Sequence, residues 1–247
     1  MNREFLDRTS HRPFPLPDSP WVLSQSWAKL LFAHWSISPD TLREHIPAAL
    51  EIDLFDGKAW LGIVPFAMRE VGPRLVPKVS GISNFLELNV RTYVIHQGRP
   101  GVYFFSLDCS SPFAVWAAKT FYHLPYFNAS MSCREKDGWI EYESLREGQL
   151  NAFSARYRGT GAKIPAPAGS IDHFLTERYC LYTTDRRGRI HQGVIHHDIW
   201  SLQKAEAEIK KNTMTEASLR FNLPEQEPLL HYSENIDTVE WPLRLIV

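Results

Sequence analysis

The sequence predicts a strand-dominated α+β fold, in which a mainly antiparallel sheet closes or curls around its own interior and a few short helices lie outside. Two observations lead to this prediction. Segments dense in aliphatic and aromatic residues follow one another closely, and two of the connections are Asp-Gly pairs typical of tight hairpins. Helix-start signals are few and introduce short segments. The 247 residues, 44% of them hydrophobic, are enough to bury a large core.

Composition argues against several classes of function. The net charge of −1 arises from interspersed acids and bases, so no long-range attraction to nucleic acid or an anionic membrane is expected. The chain has no apolar run near the roughly 20 residues that span a bilayer. Its first residues are too polar for a secretory signal. Three cysteines without a C-x-x-C pair fit reduced, buried thiols. We therefore expect a cytoplasmic protein.

The first part of the chain predicts an arm, three strands and one helix. Residues 1–20 contain four prolines, which favours an extended surface arm, and residues 21–247 are expected to form a single domain. Ser38, followed by proline and aspartate, begins a helix that ends by Pro47. Strands are predicted over 21–35, 50–55 and 58–68, and a tight turn at 56–57 joins the last two.

The middle of the chain continues the pattern of strands. A flexible loop is expected over 72–83 because it is rich in glycine and proline. Ser111 and Pro112 repeat the helix-start signal and begin a helix that runs to about Tyr122. Strands are predicted over 85–94, 102–108, 131–134, 139–143 and 152–158, with turns at 98–101 and 137–138.

The last part predicts a loop, a helix and further strands. Glycines and prolines over 159–169 indicate a mobile loop that covers a pocket, and Ser170 caps a helix over 171–178. Residues 179–183 and 190–195 form a hairpin around 185–188. The composition of 203–211 favours a helix, whereas its alternating small and apolar residues favour a strand; we predict a strand.

The most informative segment is the strand over 85–94. Glu87, Asn89 and Arg91 fall on one face, bracketed by Phe85 and Tyr93, while aliphatic residues fall on the other. Glu87 and Arg91 lie roughly 13 Å apart along a strand. They cannot simply neutralise each other, so each needs a partner elsewhere. This face either lines a small polar cavity or forms an ordinary solvated side of a sheet.

Seven segments of the chain together carry a family resemblance: 32–35, 50–53, 55–60, 64–66, 87–93, 100–104 and 124–127. They resemble the YqjF-like family, an uncharacterised branch of the acetoacetate decarboxylase-like superfamily. The resemblance implies a closed, cone-shaped, mainly antiparallel β-barrel with an internal cavity and a few peripheral helices. In acetoacetate decarboxylases the glutamate that matches Glu87 faces the active site, which favours the cavity over the solvated face.

The same resemblance implies one important difference. Acetoacetate decarboxylases carry a proline followed by two lysines, one of which forms a Schiff base with the keto acid. Here Pro125 is followed by Tyr126 and Phe127, neither of which can form an imine. Lys119, on the preceding helix, is interpreted as a solvated lysine. The Schiff-base mechanism is therefore not expected.

The residues expected to form the site fall into two groups. Glu87, Arg91 and His34 are the candidate catalytic residues: Arg91 attracts a carboxylate, Glu87 acts as acid, base or acceptor, and His34 titrates near neutral pH. The candidate ligand-binding residues are Asn89, Tyr93, Tyr126 and Trp35. No cofactor and no metal are expected. Among His191, His196, His197 and Asp198, only His196 and Asp198 would share a face of a strand.

Three functions remain open from the sequence. The first is a pocket that binds a small carboxylate- or carbonyl-bearing compound; an enzyme of this kind would catalyse a lyase-like or isomerase-like step without an imine. The second is a non-catalytic protein that senses or sequesters an apolar or aromatic metabolite. The third is an assembly module whose polar face meets solvent or a second subunit. Partners are thus a small molecule, with a homo-oligomer left open, and neither nucleic acid nor membrane.

Overall fold

The computed structural model of the protein describes residues 4–79 and 82–247, and within them thirteen strands form one sheet. A short 3-10 helix covers Glu4–Asp7, and the helices are α1 Pro39–Arg43, α2 Pro112–Phe121, α3 Ile171–Thr176 and α4 Glu216–Leu219. The strands are β1 Leu23–Ile37, β2 Glu51–Ile52, β3 Ala59–Pro73, β4 Phe85–His96, β5 Arg99–Cys109, β6 Tyr126–Lys136, β7 Trp139–Arg146, β8 Ala152–Ile164, β9 Cys180–Thr184, β10 Ile190–His197, β11 Leu202–Asn212, β12 Leu229–Glu240 and β13 Arg244–Leu245.

The sheet closes on itself, which confirms the strand-dominated closed fold. Nine strands form a ring in the order β5, β6, β7, β8, β11, β12, β1, β3 and β4, and β4 pairs with β5 to complete it. All pairs in the ring are antiparallel except β5 with β6. Within the described residues, no helix is long and apolar enough to cross a membrane.

A second route through the sheet links β5 to β12. Strand β9 pairs in parallel with β5, β10 pairs with β9, and β10 also pairs with β12. The strands β12, β1, β3, β4, β5, β9 and β10 therefore form a smaller circuit that shares one wall with the ring. The shared wall consists of β12, β1, β3, β4 and β5. One of its faces points into the nine-stranded ring and the other points into the smaller circuit, and the two faces carry different side chains.

Turns and caps follow the local chemistry of the sequence. Asp56 and Gly57 have φ values of 50° and 72°, and Asp137 and Gly138 have 52° and 76°, as two-residue hairpins require. The Oγ of Ser111 accepts a hydrogen bond from the backbone N–H of Ala114 at 3.3 Å. Ser170 caps α3 in the same way. The predicted strand over 203–211 is confirmed as β11.

Helix α1 ends at Arg43, before the predicted limit at Pro47, and the Arg43 guanidinium donates to the carbonyls of Ile46, Pro47 and Leu50, which fixes the turn that follows. Several other element boundaries differ from the prediction. Within the strand predicted over 50–55, only Glu51–Ile52 forms a strand, while Phe55 pairs with Lys58 as an isolated bridge. Helix α3 stops at Thr176. The turn predicted at 98–101 lies at 97–98, and β5 begins at Arg99.

The loop predicted over 159–169 is wrong in its first half. Strand β8 continues to Ile164, and Gly159 pairs with Ala205 of β11. A Cβ atom on Gly159 would lie 2.5 Å from the ring of Tyr232, so this glycine serves close packing and not a loop. In the loop predicted over 72–83, β3 extends to Pro73, while residues 80–81 lie outside the described residues, as do residues 1–3 of the predicted arm.

Candidate functional site

The smaller circuit of strands surrounds a cavity of about 650 Å³. Its wall includes residues of β1, β3, β4, β5, β9, β10 and β12, together with α2, the first residue of β6 and the described part of the loop between β3 and β4. A volume of this size is in the range of pockets that bury small organic ligands. Most of the wall is apolar, and its polar groups include Gln25, Glu87, Asn89, Arg91, Arg178 and Glu240.

Glu87 is a buried acid on the cavity face of β4, with 2% of its surface exposed. Its Oε2 accepts a hydrogen bond of 2.5 Å from the hydroxyl of Tyr126, and it also bonds to the side chain of Asn89. Burial raises the pKa of Glu87 to about 8, and the nearby carboxyl of Glu240 acts in the same direction, against these two hydrogen bonds. Glu87 is therefore mainly protonated at neutral pH and can donate a hydrogen bond.

Tyr126 reaches Glu87 because of the parallel pairing between β5 and β6. Helix α2 returns the chain over the sheet, and Tyr126 then pairs with Leu107 as the first residue of β6. Burial, followed by the charge of Glu87, raises the pKa of the Tyr126 hydroxyl well above its ordinary value. Tyr126 therefore stays protonated and acts as a fixed hydrogen-bond donor to Glu87.

Arg91 is a buried cation further along the same face. Its Nη2 donates to the carbonyl of Leu175 at 3.2 Å and contacts the Tyr93 hydroxyl at 3.4 Å. Its guanidinium lies 5.2 Å from the ring centre of Phe32. The Nε atom is buried without a hydrogen-bond partner. No carboxylate among the described residues forms an ion pair with Arg91, so its charge is available to an anion.

A second arginine lies close to Arg91 but is already neutralised. Arg178 Nη1 forms an ion pair of 2.6 Å with Asp53 Oδ2. The rings of Phe174 and Tyr93 cover its guanidinium at 4.3 and 4.9 Å. Arg178 is therefore held in place, and it extends the basic part of the cavity wall beside Arg91.

Several polar residues of the cavity wall were not among the predicted site residues, including Arg178, His197, Gln25 and Glu240. Glu240, at the end of β12, accepts a hydrogen bond of 2.6 Å from Nε2 of Gln25 on β1. Burial raises the pKa of Glu240 to about 7. Neither Gln25 nor Glu240 lies in a motif, and only the pairings of β12 with β1 and β10 bring Glu240 to the cavity. The alternation of side chains along β1 and β12 is the one sequence signal that could have indicated Gln25 and Glu240.

The predicted site residues occupy different positions. Glu87, Asn89, Arg91 and Tyr126 line the cavity together. Trp35 and the two other predicted residues, His34 and Tyr93, lie outside the described cavity wall. Trp35 packs in the main hydrophobic cluster, so we expect no direct contact with a cavity ligand.

His34 and Tyr93 instead form a chain of hydrogen bonds that contacts Arg91. Tyr93 donates its hydroxyl proton to the carbonyl of Leu175 at 2.7 Å, and Nε2 of His34 lies 2.6 Å from that hydroxyl. Because the Tyr93 proton is used, Nε2 of His34 acts as the donor. Burial, together with the charge of Arg91, lowers the pKa of His34 well below its ordinary value. His34 is therefore neutral, and its position is suited to orienting Tyr93.

The histidines near the end of β10 make structural contacts. Nδ1 of His196 contacts Nη1 of Arg12 at 3.1 Å, and its Nε2 contacts the carbonyl of Phe5 at 2.9 Å. Nε2 of His197 contacts the carbonyl of Arg178 at 3.2 Å. In the described part of the chain, no three His, Cys, Asp or Glu side chains are grouped so that they could hold a metal ion.

Comparison with known proteins gives a family and a fold. Residues 24–237 match DUF2071, described as "Uncharacterized conserved protein". The chain is 44% identical over 239 residues to "Uncharacterized protein YqjF" of Bacillus subtilis (strain 168). The match covers 96% of this chain and 98% of that protein.

Two solved structures share the fold. An acetoacetate decarboxylase from Legionella pneumophila has a TM-score of 0.65 at 11% identity, covering 98% of this chain and 95% of that one. The enduracididine biosynthesis enzyme MppR, complexed with pyruvate, has a TM-score of 0.64 at 12% identity, covering 95% and 93%. At these identities the likeness concerns the fold alone.

Proposed function

This chain belongs to the DUF2071 family and has an acetoacetate decarboxylase-like fold, and from that premise we propose that its cavity binds a small carboxylate- or carbonyl-bearing compound without forming an imine. One observation carries the proposal. Arg91 is a buried guanidinium, without a carboxylate partner among the described residues, on the same cavity wall as the raised-pKa acid Glu87.

The charge of Arg91 is the main argument for a carboxylate. A buried cation is unfavourable unless an anion or several hydrogen bonds compensate for lost hydration. Arg91 has one backbone carbonyl, one long contact to a hydroxyl and an aromatic ring. A ligand carboxylate would supply the missing negative charge and, with two oxygens, match the geometry of a guanidinium.

Glu87 and Tyr126 supply the second half of the site. Glu87 lies roughly 13 Å from Arg91 along β4, so a protonated Glu87 would donate a hydrogen bond to a carbonyl oxygen in a part of the ligand remote from its carboxylate. Tyr126 holds the acid in place. If the protein is an enzyme, Glu87 is the group that would transfer a proton in a lyase-like or isomerase-like step. MppR, which shares the fold, forms a complex with pyruvate, and this supports a carbonyl-bearing acid as the ligand.

The absence of an imine is proposed from the residues at the expected lysine positions. Tyr126 and Phe127 follow Pro125, and the hydroxyl of Tyr126 is bonded to Glu87. The ring of Phe127 lies under the guanidinium of Arg146 at 4.1 Å. The described residues of the cavity wall include no lysine.

A second candidate function is supported by the rest of the wall. Most lining residues are apolar, which suits a protein that senses or sequesters an apolar or aromatic metabolite without converting it. Turnover of a bound ligand distinguishes the enzyme from the sensor.

The test is titration calorimetry with carboxylic acids and their neutral amides. We expect Arg91→Met to weaken acid binding by roughly thirtyfold or more, the effect of removing one partner of a buried charge pair, while amide binding changes little. Arg99→Met is the matched control, since Arg99 lies outside the described cavity wall and stacks on Phe14. Unchanged acid affinity in a folded Arg91→Met protein would contradict the anion site.

A separate experiment tests whether an imine forms. Pyruvate and other keto acids are added with sodium borohydride, and the intact mass of the protein is measured. We expect no reduced adduct, because the site offers a guanidinium and a neutral acid in place of an amine. A stable adduct of the expected mass would contradict this part of the proposal.

A further inference from the structure

Helix α2 carries three exposed aromatic side chains, which we name the aromatic rim: Phe113, Trp116 and Phe121. They are 55%, 55% and 62% exposed, respectively. The ring centres of Phe113 and Trp116 are 5.8 Å apart, and those of Trp116 and Phe121 are also 5.8 Å apart. The rings therefore form one continuous patch, unlike scattered surface aromatics, and such patches commonly mark binding surfaces.

The aromatic rim is continuous with the cavity. Ala114, Ala118 and Tyr122 of the same helical segment form part of the cavity wall, together with the three rim residues. Helix α2 thus forms a path of apolar surface from the solvent to Glu87 and Tyr126.

The size of the cavity exceeds what a three-carbon acid needs. Glu87 and Arg91 are spaced roughly 13 Å apart along β4. A pyruvate-sized ligand held by Arg91 would leave the region around Glu87 and α2 unfilled in a cavity of about 650 Å³. The walls of that region are apolar, formed by residues such as Val64, Phe66, Leu107 and Ile195.

From these observations we infer that the ligand is an amphipathic monocarboxylate, with its carboxylate at Arg91 and an alkyl or aromatic tail that passes Glu87 and ends against the aromatic rim. This inference rests on the proposed function, because it takes the anion site at Arg91 as its starting point. It adds the chemical class of the remainder of the ligand and assigns the aromatic rim as its outer contact surface.

The experiment is calorimetry with straight-chain monocarboxylic acids of increasing length and with the matching primary alcohols. We expect affinity to rise by about fourfold for each added methylene, the gain for burying one such group, until the chain reaches the rim. The double variant Phe113→Ser, Trp116→Ser should weaken binding of the longest acids and leave the shortest unchanged. Leu145→Ser is the control, since Leu145 is 53% exposed on β7, outside the described cavity wall.

The outcomes separate the inference from the proposed function. Affinity that does not depend on chain length overturns the inference, and acid binding that still requires Arg91 would leave the proposed function intact. A length dependence shared by acids and alcohols, and insensitive to Arg91→Met, overturns both. If rim variants alter only the oligomeric state in size-exclusion chromatography, the rim contacts a second copy and the inference is wrong.

Discussion

Two buried arginines of this protein have opposite surroundings. Arg146, 1% exposed, forms an ion pair with Asp108, with Nε and Nη2 each 2.7 Å from Oδ1. Arg91, 9% exposed, faces the cavity with a backbone carbonyl and aromatic rings as its neighbours. The acid on its wall, Glu87, is bonded to Tyr126 and Asn89 instead. In the first region Asp108 neutralises Arg146, whereas in the second Glu87 and Arg91 line the same cavity without forming an ion pair.

The difference distinguishes charges that serve the fold from charges that serve a ligand. A buried pair is strongly destabilised when one partner is removed, because the other is left uncompensated. A buried charge that has no partner gives the folded state no such contribution. The two regions should therefore respond differently to substitution of their arginines.

The largest effect is expected at the paired arginine. Asp108→Asn leaves Arg146 without its counter-charge and should lower the free energy of unfolding by about 3–5 kcal/mol, measured by urea denaturation. The control is Glu206→Gln, which breaks the exposed Arg158–Glu206 pair and should cost less than about 1 kcal/mol. A loss at Asp108 as small as that at Glu206 would remove the basis of the comparison.

An intermediate effect is expected from the pH dependence of Glu87. Burial raises its pKa in the folded protein to about 8, above the ordinary value of 4.5, so the folded state holds a proton that the unfolded state releases. Stability from this group is therefore present below the unfolded pKa and is lost as pH rises towards 8. The slope reaches about 1.4 kcal/mol per pH unit where only the folded state is protonated.

This dependence is tested by urea denaturation between pH 5 and pH 8. The wild type should lose stability relative to Glu87→Gln as pH rises, because glutamine does not titrate. Glu143→Gln, an exposed substitution on β7, should follow the wild type at every pH. Parallel curves for wild type and Glu87→Gln would show that Glu87 is ionised in the folded protein, contrary to the proposed hydrogen-bond donor.

The polar face of β4 could be predicted from the sequence, because side chains of a strand alternate between its two faces and this alternation is visible in neighbouring residues alone. Glu87, Asn89 and Arg91 line the cavity, while Leu88 and Val90 on the other face pack in the main hydrophobic cluster. Closure of the sheet was also predicted, from the number of strands and the family resemblance. The smaller circuit was not, since β5 with β9 and β10 with β12 pair over long sequence separations.

Trp35 shows why local periodicity fails elsewhere. In β1, Gln25 and Trp27 line the cavity, but the register with β3 shifts between Ala28 and Ala33, and Lys29 has a φ of 53°. This bulge reverses the faces, so odd-numbered residues beyond it, Trp35 included, pack in the hydrophobic cluster. A bulge at lysine has no distinctive local signal, and the assignment of Trp35 to the ligand rested on the family resemblance.

The smallest effect on stability is expected at the arginine without a partner. Arg91→Met replaces a buried, uncompensated charge with an apolar side chain of similar length, so the ligand-free protein should keep its free energy of unfolding or gain up to about 1 kcal/mol. Urea denaturation without ligand measures this, and Arg146→Met provides the matched control, which should be clearly destabilised because Asp108 is left buried alone. A loss above about 2 kcal/mol for Arg91→Met would mean that Arg91 stabilises the fold. Arg91 and Arg146 would then both stabilise the folded state. The argument that Arg91 is kept for a ligand carboxylate would fail, because it depends on the difference between these two arginines.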